Sequence, residues 1–350
     1  MSPLGEGPEF DVIRAILAGD TQGEGGSGEG GFGETTLPAG LRLAPMVGPG
    51  DDAAVLHDGT VVSTDVAIEG VHFRVDWVDQ RAAGDRATRA ALSDLAAMGA
   101  SPTAVFVNLS GPDPDALIEA GRGVRHAART FGARLLGGDV AGVEGPLTIG
   151  VTVIGHLTGR APWCRSGARP GDALWVTGEL GAAAAAVEAW NAGETPTGEA
   201  LERFLRPVPR FAPLDALHAH LAPRASIDVS DGVAADARHL AKASGVRVVV
   251  EADLVPIAES ARAGRTAEQA LTLALEGGED YELLMSAPDS DGLGATVTAA
   301  AGLPLTRIGR VEPGDGAVLE AGDGSVRRLE GGFGHWAGSV ARAERGRDEG

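Results

Sequence analysis

The sequence predicts an α/β protein of mixed layers (α+β) built as two domains. Three observations carry that expectation. Apolar runs of strand length alternate with runs of helical period along most of the chain. The chain has 350 residues, more than the roughly 250–300 at which a single core stops growing. A stretch dense in Pro, Gly and Arg, residues 159–172, separates two such alternating series.

In order, Phe10, Ile13, Ile16 and Leu17 fall on one face of a short amphipathic helix at 9–17. Residues 19–36 are too rich in glycine to bury a useful apolar surface and read as a flexible insertion. Residues 1–40 thus form a helix plus insertion. A first domain follows at 41–158, with strands at 60–65, 103–109, 133–137 and 147–157 and helices at 84–98 and 114–131. A second domain at 159–338 opens with a strand at 173–177. Helices at 181–191, 210–221 and 233–243 and strands at 225–229 and 246–251 come next, and a charged tail closes the chain at 339–350.

Composition excludes several classes. A single cysteine, Cys164, permits no internal disulfide framework. The single lysine, Lys242, sits in Ala-Lys-Ala-Ser and cannot belong to a lysine phosphate loop. A net charge of −20 without basic clusters argues against gripping nucleic acid or an anionic membrane. No uncharged apolar run reaches the ~20 residues of a membrane span, and no leader pattern stands at the start, so a cytoplasmic protein is expected.

The informative acids lie at strand ends and beside glycine. Asp51 and Asp52 follow Gly48-Pro49-Gly50, Asp65 ends the strand after Ser63 and Thr64, and Asp139 follows Gly137-Gly138. Asp228 and Asp231 bracket Val229-Ser230, and Glu279 and Asp280 follow Gly277-Gly278. Asp94 stands inside a helix among Leu92, Leu95, Ala96, Ala97 and Met98, where a carboxylate is costly unless paired or metal-bound. Each alone reads as a cap or turn residue. Converging together they would need cations, and oxygen-only ligands suit Mg²⁺ and, through it, nucleotide phosphates.

The motifs Gly-Pro-Gly-Asp-Asp-Ala-Ala (48–54), Ser-Thr-Asp-Val-Ala-Ile-Glu-Gly-Val-His-Phe (63–73) and Leu-Ser-Asp-Leu-Ala-Ala-Met-Gly-Ala (92–100) occur in order. Gly-Gly-Asp (137–139), Arg-Ser-Gly-Ala-Arg-Pro-Gly-Asp (165–172), Ile-Asp-Val-Ser-Asp-Gly (227–232), Gly-Gly-Glu-Asp-Tyr-Glu-Leu-Leu (277–284) and Gly-Phe-Gly-His-Trp (332–336) complete the set. In this the chain resembles the thiamine-monophosphate kinases of the aminoimidazole ribonucleotide synthetase-like superfamily. The resemblance implies that superfamily's two-domain fold and a homodimer whose N-terminal sheets form a barrel-like core. It implies ATP-dependent phosphorylation of thiamine monophosphate to thiamine diphosphate. It also implies Mg²⁺ ions held by Asp52, Ser63, Thr64, Asp65, Asp94, Asp139, Asp228 and Asp231, of which Asp65, Asp94 and Asp231 bear most directly on catalysis. By the same resemblance Arg165 and Ser230 touch ATP, and His72, Glu279 and Phe333 contact thiamine monophosphate.

An anionic phosphate acceptor needs no strong general base, so direct in-line transfer is expected, with His72 as a donor rather than a base. Three features depart from the family pattern: Val140 replaces the usual Thr, Pro49 breaks the usual Gly-Ile-Gly, and the 19–36 insertion is extra. Another ATP-dependent enzyme of the superfamily, or a non-catalytic Mg-nucleotide module, is the alternative.

Overall fold

The computed structural model describes residues 46–157, 160–290 and 292–332. The expected N-terminal helix, the glycine-rich segment, Phe333, Trp336 and the tail lie outside the described residues.

The first half forms a five-stranded sheet in the order β1-β2-β5-β3-β4. Its strands are β1 (Ala54–Val55), β2 (Thr60–Ile68), β3 (Ser101–Gly111), β4 (Arg134–Gly142) and β5 (Thr148–His156). Pairing is antiparallel except between β3 and β4, which run parallel around helix α2 (Pro114–Thr130). Period-2 patterning sets one face against the helices: Ile149, Val151 and Val153 of β5 are buried, as are Val105, Val107 and Leu109 of β3. Helix α1 (Gln80–Ala97) starts where Asp79 accepts from the Ala82 N–H at 2.7 Å, and Asp113 caps α2 by accepting from Asp115 N–H at 3.0 Å.

Helices α1 and α2 cross at two glycines. A Cβ on Gly84 would sit 2.0 Å from the Ala120 carbonyl oxygen, and one on Gly123 would sit 2.0 Å from that of Arg81. This close approach presses α1 onto the sheet and fixes the height at which Asp94 projects.

The second half forms a seven-stranded mixed sheet, β12-β11-β8-β10-β6-β9-β7. Its strands are β6 (Asp172–Thr177), β7 (Ala225–Asp228), β8 (Arg247–Glu251), β9 (Leu283–Pro288), β10 (Leu305–Glu312), β11 (Ala317–Glu320) and β12 (Val326–Arg328). Strand β6 is buried along its whole length, because Leu174 and Val176 face one apolar cluster and Ala173 and Trp175 another. The first cluster is closed by α5 (Val233–Ser244) and α6 (Ala267–Glu276), the second by α7 (Leu293–Ala301) and the turns at 214–221. Helices α3 (Ala182–Asn191) and α4 (Gly198–Leu205) place Ala186 and Phe204 in the first half's core, so the two halves share one apolar seam.

Several boundaries differ from the sequence expectation. The helix expected over 210–221 is only a three-residue turn, Leu214–Ala216, and a wide turn, Leu217–Leu221; Pro213 inside that span lacks an N–H donor and biases Ala212 away from the helical region. Helix α4 forms in the interval between the helices expected at 181–191 and 210–221. Strand β4 extends to Gly142, which takes the Gly-Gly-Asp motif into the sheet edge.

Gly84→Ala raises helix propensity by about 1 kcal/mol but forces the two helices apart. It is expected to destabilise the protein by about 2 kcal/mol in urea unfolding; an unchanged midpoint would show that the α1/α2 crossing tolerates a methyl group.

Candidate active site

Three segments deliver carboxylates to one crevice. Asp52 lies in the turn before β1, Asp94 on α1, and Asp228 at the end of β7. One oxygen from each lies within 4.8 Å of the others. The Ser63 hydroxyl donates to Asp94 Oδ2 at 2.5 Å. Because Ser63 faces α1, alternation puts Asp65 on the same side of β2 and Thr64 on the opposite one. There the Thr64 hydroxyl lies 3.1 Å from that of Thr152. Asp139 stands exposed on the edge strand, its carboxylate accepting from the Val140 N–H at 2.9 Å. The side chains of Thr64 and Asp139 are therefore not brought into the Asp52–Asp94–Asp228 group.

The electrostatics of that group are unfavourable to bare carboxylates. Burial, with Asp228, Asp52 and Asp65 nearby, pushes the Asp94 carboxyl well above the usual range. Burial and the neighbouring Asp52 push Asp228 up to about 8. Asp52 is raised to about 6, burial outweighing the pull of Arg165. Arg165 donates to Asp52 Oδ1 through Nε at 3.0 Å and Nη2 at 2.5 Å, while Asp52 Oδ2 is buried with no hydrogen-bond partner. An oxygen-only, electron-rich group with an unsatisfied oxygen fits a hard divalent cation such as Mg²⁺. Asp231 belongs to an adjoining group with Asp236 and His239, whose ligand-type atoms also lie within 4.8 Å of one another.

The Ser230–Asp231 turn is laced to the 277–282 loop by the backbone. Glu279 N–H donates to the Ser230 carbonyl at 2.7 Å and Tyr281 N–H to that of Val229 at 2.8 Å. Beside it, Asp65, His72, Phe73, Arg86, Glu279 and Tyr281 line a recess floored by the alanines of α1. His72 Nδ1 accepts from the Ile68 N–H at 3.0 Å, so in the neutral ring Nε2 carries the proton and is a donor. With Nδ1 taken by the backbone, the neutral ring presents a donor rather than an acceptor at Nε2. The segment around 163–170 is tied down: Trp163 is buried, and the Gly167 and Ala168 N–H groups both reach Ser244 Oγ at 3.1 Å.

Comparison with known proteins bears on this arrangement. The AIR synthase related protein N-terminal domain matches residues 50–157, and the corresponding C-terminal domain matches residues 169–322. A thiamine-monophosphate kinase of Mycobacterium tuberculosis is 37% identical over 284 residues, covering 79% of this chain and 83% of that protein. The chain belongs to the thiamine-monophosphate kinase family. A Caulobacter vibrioides member of that family is 35% identical, covering 88% of this chain and 85% of its own. Among solved structures, AaThiL complexed with AMPPCP and TMP superposes with a TM-score of 0.74 at 27% identity, covering 94% of this chain and 96% of its own.

Within this thiamine-monophosphate kinase fold, four polar groups in or beside the crevice had no site role in the sequence reading. Asp51 accepts from the Arg165 N–H at 2.9 Å. Asp236 is buried on α5 and pushed well up by burial and by Asp231. Arg86 is buried on α1, and Tyr281 donates to Glu279 at 2.8 Å. Only the left-handed backbone of Glu279 (φ 65°) and Tyr281 (φ 51°), flanking Asp280 after two glycines, had a readable signal in the Gly-Gly-Glu-Asp-Tyr run.

In metal-free protein, raised carboxyls make the folded state hold protons that the unfolded chain has released. Stability from Asp52 and Asp228 is therefore full below about pH 4 and lost as pH rises through about 6 and 8. The melting temperature in chelator is expected to fall between pH 5 and 8 and to flatten in Asp228→Asn. A wild-type profile already flat over that window would mean the group is solvated.

Proposed function

We propose that the protein transfers the γ-phosphoryl group of ATP directly to the phosphate of thiamine monophosphate, giving thiamine diphosphate and ADP. The convergence of Asp52, Asp94 and Asp228 in one crevice beside the His72–Glu279 recess carries this reading, together with membership of the family. Asp52, Asp94 and Asp228, with Ser63, Asp65 and Asp231 around them, would hold Mg²⁺. Bound there, the ions supply the charge neutralisation that two approaching phosphates need.

The chain's own groups do the rest. Arg165 and the Ser230 turn border the nucleotide side, and Arg165 holds Asp52 in place with two donors, Nε and Nη2, on Oδ1. On the acceptor side, His72 Nε2–H donates, the Glu279 carboxylate accepts, and Phe73 with the α1 alanines gives apolar contact for a heterocycle. Phe333 is assigned to the same acceptor. No protein nucleophile is required, because an oxygen of the anionic acceptor phosphate itself attacks the γ-phosphorus as ADP leaves, so no phospho-enzyme forms. Among the described residues no helix is long and apolar enough to cross a membrane, and we place the enzyme in the cytoplasm with its ATP.

The proposal extends to a homodimer. Val66 and Phe106, on the sheet face away from the helices, are 44% and 36% exposed, and Leu136 at the β4 edge is 57% exposed. An apolar, uncovered sheet face of this kind supports pairing with a second copy.

Incubating the protein with ATP, Mg²⁺ and thiamine monophosphate is expected to yield thiamine diphosphate and ADP in equal amounts. Asp94→Asn is expected to cut turnover at least about a hundredfold without loss of thermal stability, since it removes one of several repelling charges. ADP formation without thiamine diphosphate would refute the acceptor. Phe106→Glu is expected to shift sedimentation from dimer to monomer; a monomeric wild type would refute the pairing.

A further inference from the structure

Arg86 stands out among the polar groups near the crevice because it is a buried cation reaching from the first half of the chain into the second. It projects from α1 and is 5% exposed. One guanidinium nitrogen, Nη1, donates to the Phe204 carbonyl at 2.9 Å, and the guanidinium carbon lies 3.9 Å from the centre of the Phe204 ring. The other, Nη2, donates to Glu279 Oε2. The Tyr281 hydroxyl donates to the same oxygen at 2.8 Å.

Both donors fall on Oε2, and Oε1 takes no hydrogen bond among the described residues. Glu279 and Tyr281 are two of the three non-glycine residues there with positive φ. A left-handed conformation in side-chain-bearing residues costs free energy and persists only where surroundings hold it. Two charge-assisted donors on one carboxylate oxygen, one of them anchored through the Phe204 carbonyl, supply that hold.

We propose that Arg86 is a positioning residue for acceptor recognition. With Tyr281 it saturates one oxygen of Glu279 and turns the other into the recess, where it accepts from an amino or cationic heterocyclic group. This inference rests on the reading that the recess binds thiamine monophosphate. It makes the recess selective by coupling: Arg86 lines the recess with Nη1 and Nη2 already given to Phe204 and Glu279, and so sets the carboxylate oxygen that the acceptor meets. An arginine left unpaired at this depth would also attract the acceptor's phosphate into the wrong end of the recess, and pairing with Glu279 prevents that.

The test separates ATP from acceptor. In Arg86→Met, which keeps the bulk and removes the charge, KM for thiamine monophosphate is expected to rise about tenfold or more, while KM for ATP stays within about twofold. Arg86→Lys should recover part of the loss. Glu279→Gln should reproduce it, and the double variant Arg86→Met/Glu279→Gln should be no worse than Glu279→Gln alone, as two members of one device require. A merely structural arginine would lower the melting temperature and leave the ratio of the two KM values unchanged, and that result would overturn the proposal, as would additive losses in the double variant. If Arg86→Met does not fold, Tyr281→Phe keeps the question open to measurement. It removes the second donor to the same oxygen, and an unaltered KM for thiamine monophosphate would count against the device. A wild-type protein that neither binds nor phosphorylates thiamine monophosphate would instead remove the reading of the recess itself.

Discussion

Three buried aspartates that repel one another set the terms for this molecule. Asp52, Asp94 and Asp228 come from a turn, a helix and a strand end far apart in sequence, and all their carboxyls are pushed up by burial. Folding must therefore hold together groups that electrostatics would separate. The chain meets this with apolar packing beneath each one: Leu92 and Leu95 flank Asp94, Ile227 precedes Asp228, and Ala53 and Val55 follow Asp52, all of them buried. The close α1/α2 crossing and the shared seam of Ala186 and Phe204 make that packing stiff. Local stiffness is what lets a repulsive group persist as a site rather than relax into solvent.

A second strained element lies next to the first. The 277–282 loop is held from below by Glu282, fully buried and bound by Arg210 with Thr177 at 2.7 Å. It is held from one side by Asp280, which accepts from the Gly181 N–H at 2.9 Å, and from the other by the Val229 and Ser230 carbonyls. The consecutive residues Glu279, Asp280, Tyr281 and Glu282 thus point to different supports. Only Glu279 is left with a carboxylate oxygen on the recess. Strain here accompanies an acidic loop whose every other polar group is committed to structure.

How much of this was readable in the amino-acid sequence follows from the kind of signal each residue leaves. Asp94 was legible because a carboxylate among leucines and alanines violates helix patterning. The glycine-flanked acids were legible as strand-end turns. The two faces of β2 were legible in principle, since a period of two separates Ser63 and Asp65 from Thr64, but motif matching grouped all three. Arg86 was not legible, because an arginine every few residues along α1 is the ordinary pattern of an exposed helix, and only tertiary packing reveals that this face is covered. Asp236 was hidden for the same reason. Helix α4 was obscured by its Gly and Thr neighbours, and the helix expected at 210–221 ignored Pro213. The errors fall where tertiary contact overrides local preference.

The same accounting explains why a chain with a net charge of −20 suits phosphate chemistry without a lysine loop. The two arginines at the crevice are already engaged, Arg165 with Asp52 and Arg86 with Glu279. Neither can turn to an incoming phosphate without giving up its carboxylate, the buried Asp52 or the half-buried Glu279, a loss that offsets part of what the new contact would return. Side-chain cations are thus committed to positioning. Under the proposed function, positive charge for the transferring group would arrive with the substrates, and aspartates converging in one crevice are the form of protein surface that can receive it. Replacing those acids by lysines would place fixed charge where the reaction needs charge that follows the phosphates.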